Sequence, residues 1–233
     1  MLKLSSLIDK AIYDYNMIEE NDRILIGASG GKDSTALIEY FSSRTKRRDC
    51  NFSYLALHIQ NDFSPPLPES ILNLFNEWQV PFKSIDIDVL GRLKEGRKMN
   101  CWWCSLQRRG ELNRFAIENG FNKIALGHHL DDVLETLLMN MLEKAELATM
   151  PPRLKYNKYP VTIIRPLYYA SVETIIEHAK QMGYYGYTCT CDYQNNSGRK
   201  NARSLLEKLS EGNRSKKEKM LLSLKNIKTE YLP

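Results

Sequence analysis

Short apolar runs alternate along the chain with longer segments whose apolar residues recur every three or four positions. The short runs are typical of buried strands, and the longer spacing is typical of amphipathic helices. The pattern therefore predicts an α/β fold, with a parallel five-stranded sheet covered by helices on both faces. The predicted strands are residues 24–28, 52–59, 82–89, 123–127 and 161–165. The predicted helices are residues 2–20, a segment that ends near residue 43, residues 69–78, 105–118, 133–142 and 172–182, and two basic helices near the C-terminal end.

Three regions of the chain differ in this pattern. An amphipathic helix occupies residues 1–22, alternating strands and helices occupy residues 23–182, and residues 183–233 carry a cysteine pair and the basic helices. Within the central region, we expect residues 91–100 to form a polar loop and residues 144–158 to form an irregular insertion.

The composition is that of an ordinary globular protein. Of 233 residues, 42% are hydrophobic and 26% are charged, and no apolar run has the length of a membrane span. The N-terminal end is acidic and lacks the apolar run of a secretory signal. We therefore expect a cytoplasmic protein without membrane contact. Its five cysteines should stay reduced there, which favours ligand or catalytic roles over disulfides.

Positive charge is concentrated near the C-terminal end. Residues 199–228 contain ten Lys or Arg against three Glu, a balance of +7, whereas the whole chain carries +5. This basic helical segment predicts a polyanionic partner. A solvated helix face without a partner would show the same pattern, and the charge alone does not separate the two.

A glycine-rich loop follows the first predicted strand. Gly30 and Gly31 let the backbone approach a ligand closely, and the helix that begins next points bare N–H groups at a phosphate. Lys32 would supply a positive charge, and Asp33 would supply a magnesium ligand. The loop is not a Walker A loop, because an acid rather than Ser or Thr follows the lysine. A tight, capped turn between strand and helix is the simpler alternative.

A second polar cluster follows the fourth predicted strand. His128 and His129 come just before Asp131 and Asp132, at the start of a predicted helix. Histidines and carboxylates together suit a metal ion, whereas an acid in the first turn suits a helix cap. The cluster should lie on the same rim as the glycine-rich loop, because ligands bind at the carboxyl ends of parallel strands.

Two cysteine pairs lie far apart in the sequence. Cys101 and Cys104 are about one helical turn apart, which is a chelating spacing, and a single residue separates Cys189 from Cys191. Four thiolates would suit a structural zinc site, although such sites usually have two to four residues between paired cysteines. Three thiolates on an iron–sulfur cubane would leave one iron without a protein ligand. Cys50 has no partner nearby in the sequence, and we treat it as incidental.

The segment Ser29–Ser34 resembles the S-G-G-x-D-S loop of the PP-loop ATP pyrophosphatases, which have a Rossmann-like, adenine nucleotide α-hydrolase fold. The segment Gly127–Asp132 resembles the G-H-H-x-D-D motif of the tRNA-modifying members. The resemblance implies ATP and Mg²⁺ as cofactors, with Asp33 on the magnesium. It implies catalytic roles for Lys32, Asp33, Asp131 and Asp132. It implies a nucleotide site formed by Ser29, Gly30, Gly31, Lys32, Asp33, Ser34, His58, Ile59, Gly127 and His128, with adenine near His58 and Ile59.

The cysteines extend the resemblance to the tRNA 2-thiocytidine synthetase family, over nearly the whole chain. Cys101–Cys104 followed by Arg108–Gly110 resembles its C-x-x-C and R-R-G. Members ligate a [4Fe–4S] cluster with this pair and a later cysteine eight residues before an arginine, the interval from Cys191 to Arg199. The resemblance implies Cys101, Cys104 and Cys191 as ligands, with Cys189 in reserve. The chain departs from the family in having C-x-C in the later segment and in its shorter length.

The family implies an ATP-dependent tRNA sulfurtransferase that adenylates C2 of an anticodon-loop cytidine and replaces its oxygen with sulfur. The implied partners are tRNA, which the basic helices would contact, and a sulfur donor such as a cysteine desulfurase persulfide or sulfide. A homodimer is a further expectation. The alternatives are a related thiolase acting on uridine or a small molecule, a ligase similar to lysidine synthetase, and a non-catalytic iron–sulfur RNA-binding protein.

Overall fold

A computed structural model describes residues 3–47, 50–93, 96, 98–156, 159–186 and 197–231. The helices in this part of the chain are α1 (Leu4–Asp14), α2 (Lys32–Arg44), α3 (Glu69–Glu77), α4 (Cys101–Glu118), α5 (Leu130–Lys144), α6 (Val172–Gln181), α7 (Ser197–Ser210) and α8 (Arg214–Ser223), with a 3-10 turn at Thr229–Tyr231. The strands are β1 (Arg23–Gly27), β2 (Ser53–Asn61), β3 (Phe82–Ile87), β4 (Lys123–Ala125), β5 (Arg153–Lys155) and β6 (Thr162–Ile164).

The strands form one sheet in the order β3-β2-β1-β4-β6-β5. The predicted α/β fold is confirmed, and the five predicted strands are parallel. The predicted strand count is one too low, because β5 pairs antiparallel with β6 at the edge, inside the predicted irregular insertion. This strand has one apolar residue, Leu154, and follows two prolines, so it lacks the apolar run that marks the equally short strands β4 and β6.

Helices cover both faces of the sheet because successive residues of its strands alternate between two cores. In β1, Ile24 and Ile26 belong to a cluster that includes residues of α1, α2, α5 and α6. Leu25 lies between them and belongs to a second cluster with Leu112 and Phe115 of α4. All three β1 residues are completely buried. The apolar run therefore folds as a central strand without a solvent face.

The terminal helices share the first core. Leu4 of α1, Leu206 of α7 and Leu221 of α8 are all buried in it. The division at residues 22 and 182 stays a prediction. Helix α1 is shorter than the predicted residues 2–20 and ends at Asp14, because Asn16 adopts a left-handed φ of 47° that interrupts a helix. No described helix has the length and apolar composition needed to cross a membrane.

Candidate active site

A cavity of about 470 Å³ lies at the carboxyl ends of β1, β2 and β4. It brings together residues from the glycine-rich loop, the second polar cluster and the first cysteine pair. The predicted site residues that line it are Ser29, Asp33, Ser34, Ile59, Gly127, His128, Asp132, Cys101 and Cys104. Gly30 and His58 line an adjoining cavity of about 340 Å³. Gly31, Lys32 and Asp131 are not among the lining residues of either cavity.

The glycine-rich loop is held in shape by its own hydroxyl groups. The Oγ atoms of Ser29 and Ser34 lie 3.0 Å apart, and the Ser34 hydroxyl donates to the Gly31 carbonyl at 3.0 Å. Gly30 has a φ of +80°, a left-handed conformation in which other residues are strained. Helix α2 begins immediately afterwards at Lys32. The loop is therefore organised before a ligand binds, with a helix N-terminus behind it.

Lys32 and Asp33 form an ion pair at the start of α2. Lys32 Nζ lies 2.9 and 3.0 Å from the two carboxylate oxygens of Asp33. Asp33 Oδ1 also lies 3.9 Å from His129 Nε2. The Asp33 carboxylate thus connects the glycine-rich loop with the second polar cluster and is partly open to the cavity.

The two motifs touch through Gly127, which follows β4. A Cβ atom at this position would lie 3.2 Å from the backbone carbonyl carbon of Asp33 and from the backbone nitrogen of Ser34. These neighbours are backbone atoms, which cannot rotate away as a flexible side chain would. Glycine therefore permits the close approach of β4 to the start of α2, and this approach places His128 beside the glycine-rich loop.

Asp132 both caps α5 and faces the cavity. Its Oδ2 accepts a hydrogen bond from His129 N at 3.1 Å, so the predicted helix cap is present. His129 Nε2 lies 3.4 Å from the same oxygen, and Arg199 Nη2 lies 3.5 Å from Oδ1. Burial opposes ionisation, but the nearby His129, His128 and Arg199 outweigh it and lower the pKa of Asp132. Asp132 can therefore cap α5 and still offer its carboxylate to a metal ion in the cavity.

His128 is a neutral imidazole at the same rim. Burial lowers its pKa to about 4, with Asp132 opposing that shift and Arg165, Arg199 and Arg109 adding to it. Its Nδ1 is buried and has no hydrogen-bond partner among the described residues. A neutral ring with an uncommitted nitrogen can bond to a ligand without a charge change near neutral pH.

Asp131 has a different environment. Its Oδ2 accepts from Val172 N at 2.7 Å, and its Oδ1 accepts from Lys217 Nζ at 2.7 Å. Its side chain is 7% exposed. The carboxylate thus joins the start of α6 to α8, and it is Asp132 that lines the cavity.

The predicted adenine edge lies where β2 extends beyond β1. His58 Nδ1 lies 2.7 Å from the Ala28 carbonyl, and its Nε2 lies 3.1 Å from Gln60 Oε1. The His58 ring therefore braces the loop that leaves β1. Backbone groups of a strand alternate between its two neighbours, and Ala56 N donates toward the β3 side, to Pro81 O. The N–H of Ile59 consequently faces the β1 side, and Ile59 lines the cavity.

The first cysteine pair lies on the opening turn of α4. The helix begins at Cys101 rather than at the predicted residue 105, because the Asn100 side chain caps it by accepting from Trp103 N at 2.8 Å. Cys101 and Cys104 are half-buried and line the cavity. Cys104 Sγ lies 3.8 Å from Asn61 Nδ2. Two thiols one turn apart, at the wall of a polar cavity, are chemically suited to an iron–sulfur cluster or to zinc.

Cys189 and Cys191 lie outside the described residues. Described residues on either side of them lie at the site. Gly186 lines the second cavity, and Arg199 lies beside Asp132. Among the described residues alone, no three His, Cys, Asp or Glu side chains are grouped so that they could hold a metal ion. A cluster would therefore need a ligand beyond Cys101 and Cys104.

Three site features had no individual role in the sequence prediction. His129 lies between Asp33 and Asp132, and Arg108 and Arg109 line the cavity. The R-R-G resemblance marked these arginines without giving them a role. Buried Glu135 accepts from Arg203 Nε at 2.7 Å and anchors α7. No local pattern could have paired these residues, because they are 68 positions apart.

The chain belongs, by its fold and site, to the α/β proteins whose glycine-rich loop presents a helix N-terminus to a phosphate. A family model described as a PP-loop domain matches residues 3–208. The chain is 36% identical to a tRNA-cytidine(32) 2-sulfurtransferase of Nitrosospira multiformis, over 99% of this chain and 78% of that protein. It is 35% identical to one of Acaryochloris marina, over 99% of this chain and 83% of that protein. The chain therefore belongs to the PP-loop family and, within it, to the tRNA-cytidine 2-sulfurtransferases, which confirms the family prediction.

A solved structure supports the fold. The U34-tRNA thiolase NcsA from Methanococcus maripaludis, solved with its [4Fe-4S] cluster, superposes with a TM-score of 0.78 at 24% identity. The match covers 99% of this chain and 78% of NcsA. At this level of identity the likeness establishes the PP-loop fold.

Proposed function

We propose that this tRNA sulfurtransferase uses ATP to activate C2 of an anticodon-loop cytidine and then exchanges the C2 oxygen for sulfur. One observation carries the proposal. The glycine-rich loop and the Cys101–Cys104 pair line the same cavity, so phosphate chemistry and thiolate chemistry can meet at one substrate atom. The relatives matched over 99% of this chain are named for a cytidine, which favours that base over the uridine of NcsA.

We place ATP between the glycine-rich loop and the end of β2, which both line the cavity. The phosphates would lie on Ser29–Ser34 at the N-terminus of α2, where backbone N–H groups and the helix dipole stabilise negative charge. Asp33 would bind Mg²⁺, with Asp132 on the opposite side of His129 as a second carboxylate. The adenine would lie against Ile59 and bond to the β2 backbone that extends past β1.

The activation step needs stabilisation of a departing pyrophosphate. The C2 oxygen of the base attacks the α-phosphorus of ATP, the bond to the β-phosphate breaks, and pyrophosphate leaves with the released charge. Lys32, Arg108 and Arg109 are the cations placed to stabilise that charge. A sulfur nucleophile then adds to C2, and AMP departs with the former C2 oxygen.

Asp132 is our candidate for the carboxylate that positions metal or transfers protons, because it lines the cavity and touches His129. Asp131 supports it from behind through Val172 and Lys217. The sequence suggested a catalytic role for both carboxylates, and this proposal keeps that role for Asp132 alone.

We propose Cys101, Cys104 and Cys191 as ligands of a [4Fe–4S] cluster, with Cys189 in reserve. Gly186 lines the second cavity and Arg199 lies 3.5 Å from Asp132, and these positions support a contribution from the segment between them. A cluster with three protein ligands supplies an open iron that can hold sulfur for transfer. The side chains of Asn61 and Arg108 would form the polar wall beside it.

The remaining parts of the proposal concern partners. The basic helices α7 and α8 would contact tRNA phosphates, and a cysteine desulfurase persulfide or sulfide would supply sulfur. A second copy of the chain could extend the RNA surface, and the reaction would take place in the cytoplasm.

Nucleoside analysis of a reconstituted reaction tests the proposal. Anaerobic protein, ATP, Mg²⁺, sulfide, a reductant and an unmodified tRNA transcript should give 2-thiocytidine, AMP and pyrophosphate. The same mixture without ATP should give none of them. Formation of 2-thiouridine instead, or thiolation that does not need ATP, would contradict the proposal.

A further inference from the structure

Trp102 is the exposed member of two adjacent tryptophans on the first turn of α4. Its residue surface is 69% exposed, although it stands between two cysteines that line the cavity. Its neighbour Trp103 is partly buried, donates from Nε1 to Val89 O at 3.3 Å and packs on the second core. Within the described part of the chain, the Trp102 side chain makes no hydrogen bond, ion pair or ring contact. Trp103 therefore packs in the protein interior, whereas the Trp102 ring is exposed and can contact a ligand.

Trp102 begins a stripe on α4 beside the helix face that lines the cavity. Residues four and seven positions further along a helix lie on the same side, and here they are Leu106 and Arg109. Leu106 is 41% exposed, and Arg109 is exposed and also lines the cavity. The stripe therefore runs for about 10 Å, from an aromatic ring between the two cysteines to a cation that lines the cavity.

We infer that Trp102 stacks on an unpaired base of the tRNA, next to the base that enters the cavity. The inference rests on the proposed function and adds a recognition residue to it. A base that enters a cavity must leave its stack, which exposes a face of the neighbouring base. An aromatic ring at the rim can cover that face, and Arg109 can neutralise the adjoining phosphate.

Charge favours a nucleic acid over a protein as the occupant. Arg108 and Arg109 line the cavity. Arg165 and Arg199 lie close enough to His128, which also lines it, for their positive charges to lower the pKa of that ring. Aromatic rings combined with cations are the usual elements of single-stranded nucleic acid recognition. A protein that docked on Trp102 would instead place apolar surface against these arginines.

The first test measures binding of an unmodified tRNA transcript to the anaerobic full-length protein. Trp102→Ala should weaken it about 5- to 150-fold, the range observed when a stacked base loses its aromatic partner. Trp102→Phe should recover most of that loss. ATP affinity and melting temperature should not change, because the Trp102 ring is exposed. Tyr13→Ala is the matched control, since Tyr13 is 84% exposed and lies on α1.

The second test identifies the stacked base. An RNA hairpin that copies the anticodon loop is compared with versions that lack one loop base each. At the loop position that stacks on Trp102, removing the base and introducing Trp102→Ala should together weaken RNA binding no more than either change does alone. Quenching of tryptophan fluorescence by the hairpin should also disappear in Trp102→Phe and persist in Trp103→Phe.

The outcomes separate this inference from the proposed function. If the unaltered protein binds no tRNA, the proposed function fails. If it binds tRNA and Trp102→Ala binds equally well, the stacking role is wrong. If Trp102→Ala lowers only turnover with a protein sulfur donor, the ring is a protein-docking residue and the inference is overturned.

Discussion

Lys217 Nζ lies 2.7 Å from Asp131 Oδ1, although 86 residues separate them in the chain. The Lys217 side chain is 1% exposed, and it lies 2.7 Å from Glu173 Oε1 as well. Asp131 in turn holds the N-terminus of α6 through Val172 N. One lysine of the basic segment is therefore a fixed internal connection between α8, α5 and α6.

We predict that Lys217→Met destabilises the protein by about 3 kcal/mol, because it leaves the buried Asp131 charge without its cation. Urea unfolding measures the loss. Turnover should fall further than the folded fraction explains, since Asp131 stands directly beside Asp132. Unchanged stability would show that the contact contributes little.

Lys219→Met is the matched control on the same helix, because Lys219 is exposed. Its stability should not change, whereas tRNA affinity should fall and its salt dependence should weaken by about one phosphate contact. If Lys219→Met lowered stability and Lys217→Met lowered only tRNA affinity, the assignment of Lys217 as internal and Lys219 as RNA-facing would be wrong.

A second prediction concerns acid stability. Burial opposes ionisation of Glu173, but the hydrogen bond from Lys217, those from its own backbone N–H and from Ser171, and the Lys217 charge together outweigh it and lower the pKa of Glu173 from the usual 4.5. A lowered native pKa contributes stability above pH 4.5 that is lost as the pH falls through the native value. Glu173→Gln should therefore flatten the fall in unfolding free energy between about pH 5 and pH 3. An identical pH profile for both proteins would contradict this sign.

The sequence anticipated the parts of the molecule that depend on local patterns. The strand ends, the glycine-rich loop and the second polar cluster each carry their signal within a few residues, and the rule for parallel sheets placed them on one rim. The edge strand at Arg153–Lys155 was missed because Leu154 is its one apolar residue, whereas the equally short strands β4 and β6 lie in apolar runs.

Contacts between residues far apart in the chain could not be predicted from local sequence patterns. Lys217 looks like any other lysine of a basic helix, and only the fold shows that it is buried against Asp131. Asp131 and Asp132 are adjacent and chemically identical, yet α5 directs one to α6 and the other to the cavity. The contact between Gly127 and the start of α2 likewise depends on the packing of β4 beside β1.

A third prediction uses the glycine-rich loop. Lys32→Ala and Asp33→Ala should each lower turnover at least about 100-fold, because both act on phosphate charge in the transition state. Melting temperature should stay near that of the unaltered protein, since both side chains lie at a rim. Lys46→Ala, at an exposed lysine after α2, is the control. A large loss of stability with full activity per folded molecule would make the pair structural.

A fourth prediction tests the close approach of the two motifs. Gly127→Ala should lower ATP affinity about tenfold, because its Cβ displaces the backbone at Asp33 and Ser34 by a few tenths of an ångström. Gly110→Ala is the control, since a Cβ there meets nothing within 4 Å and alanine favours the helix. Isothermal titration should therefore separate the two variants. Equal ATP affinities would show that the loop adjusts without loss.

The last prediction concerns the cysteines. Protein prepared without oxygen should contain about four irons per chain, and Cys101→Ala, Cys104→Ala and Cys191→Ala should each lose both iron and thiolation. Cys50→Ala should change neither, because Cys50 is not among the lining residues of either cavity. Zinc in place of iron under the same conditions would favour a structural thiolate site.

Cys189→Ala decides how the cluster is held. If Cys191 is the third ligand, this variant keeps its iron and its activity, and one iron stays open for sulfur. If both cysteines bind, the unaltered cluster has four protein ligands and no open iron, so sulfur could not be held there. Cys189→Ala would then open an iron, and added sulfide should change the spectrum of the variant and leave that of the unaltered protein unchanged. The opposite response, a sulfide-sensitive spectrum in the unaltered protein, supports three ligands and an open iron.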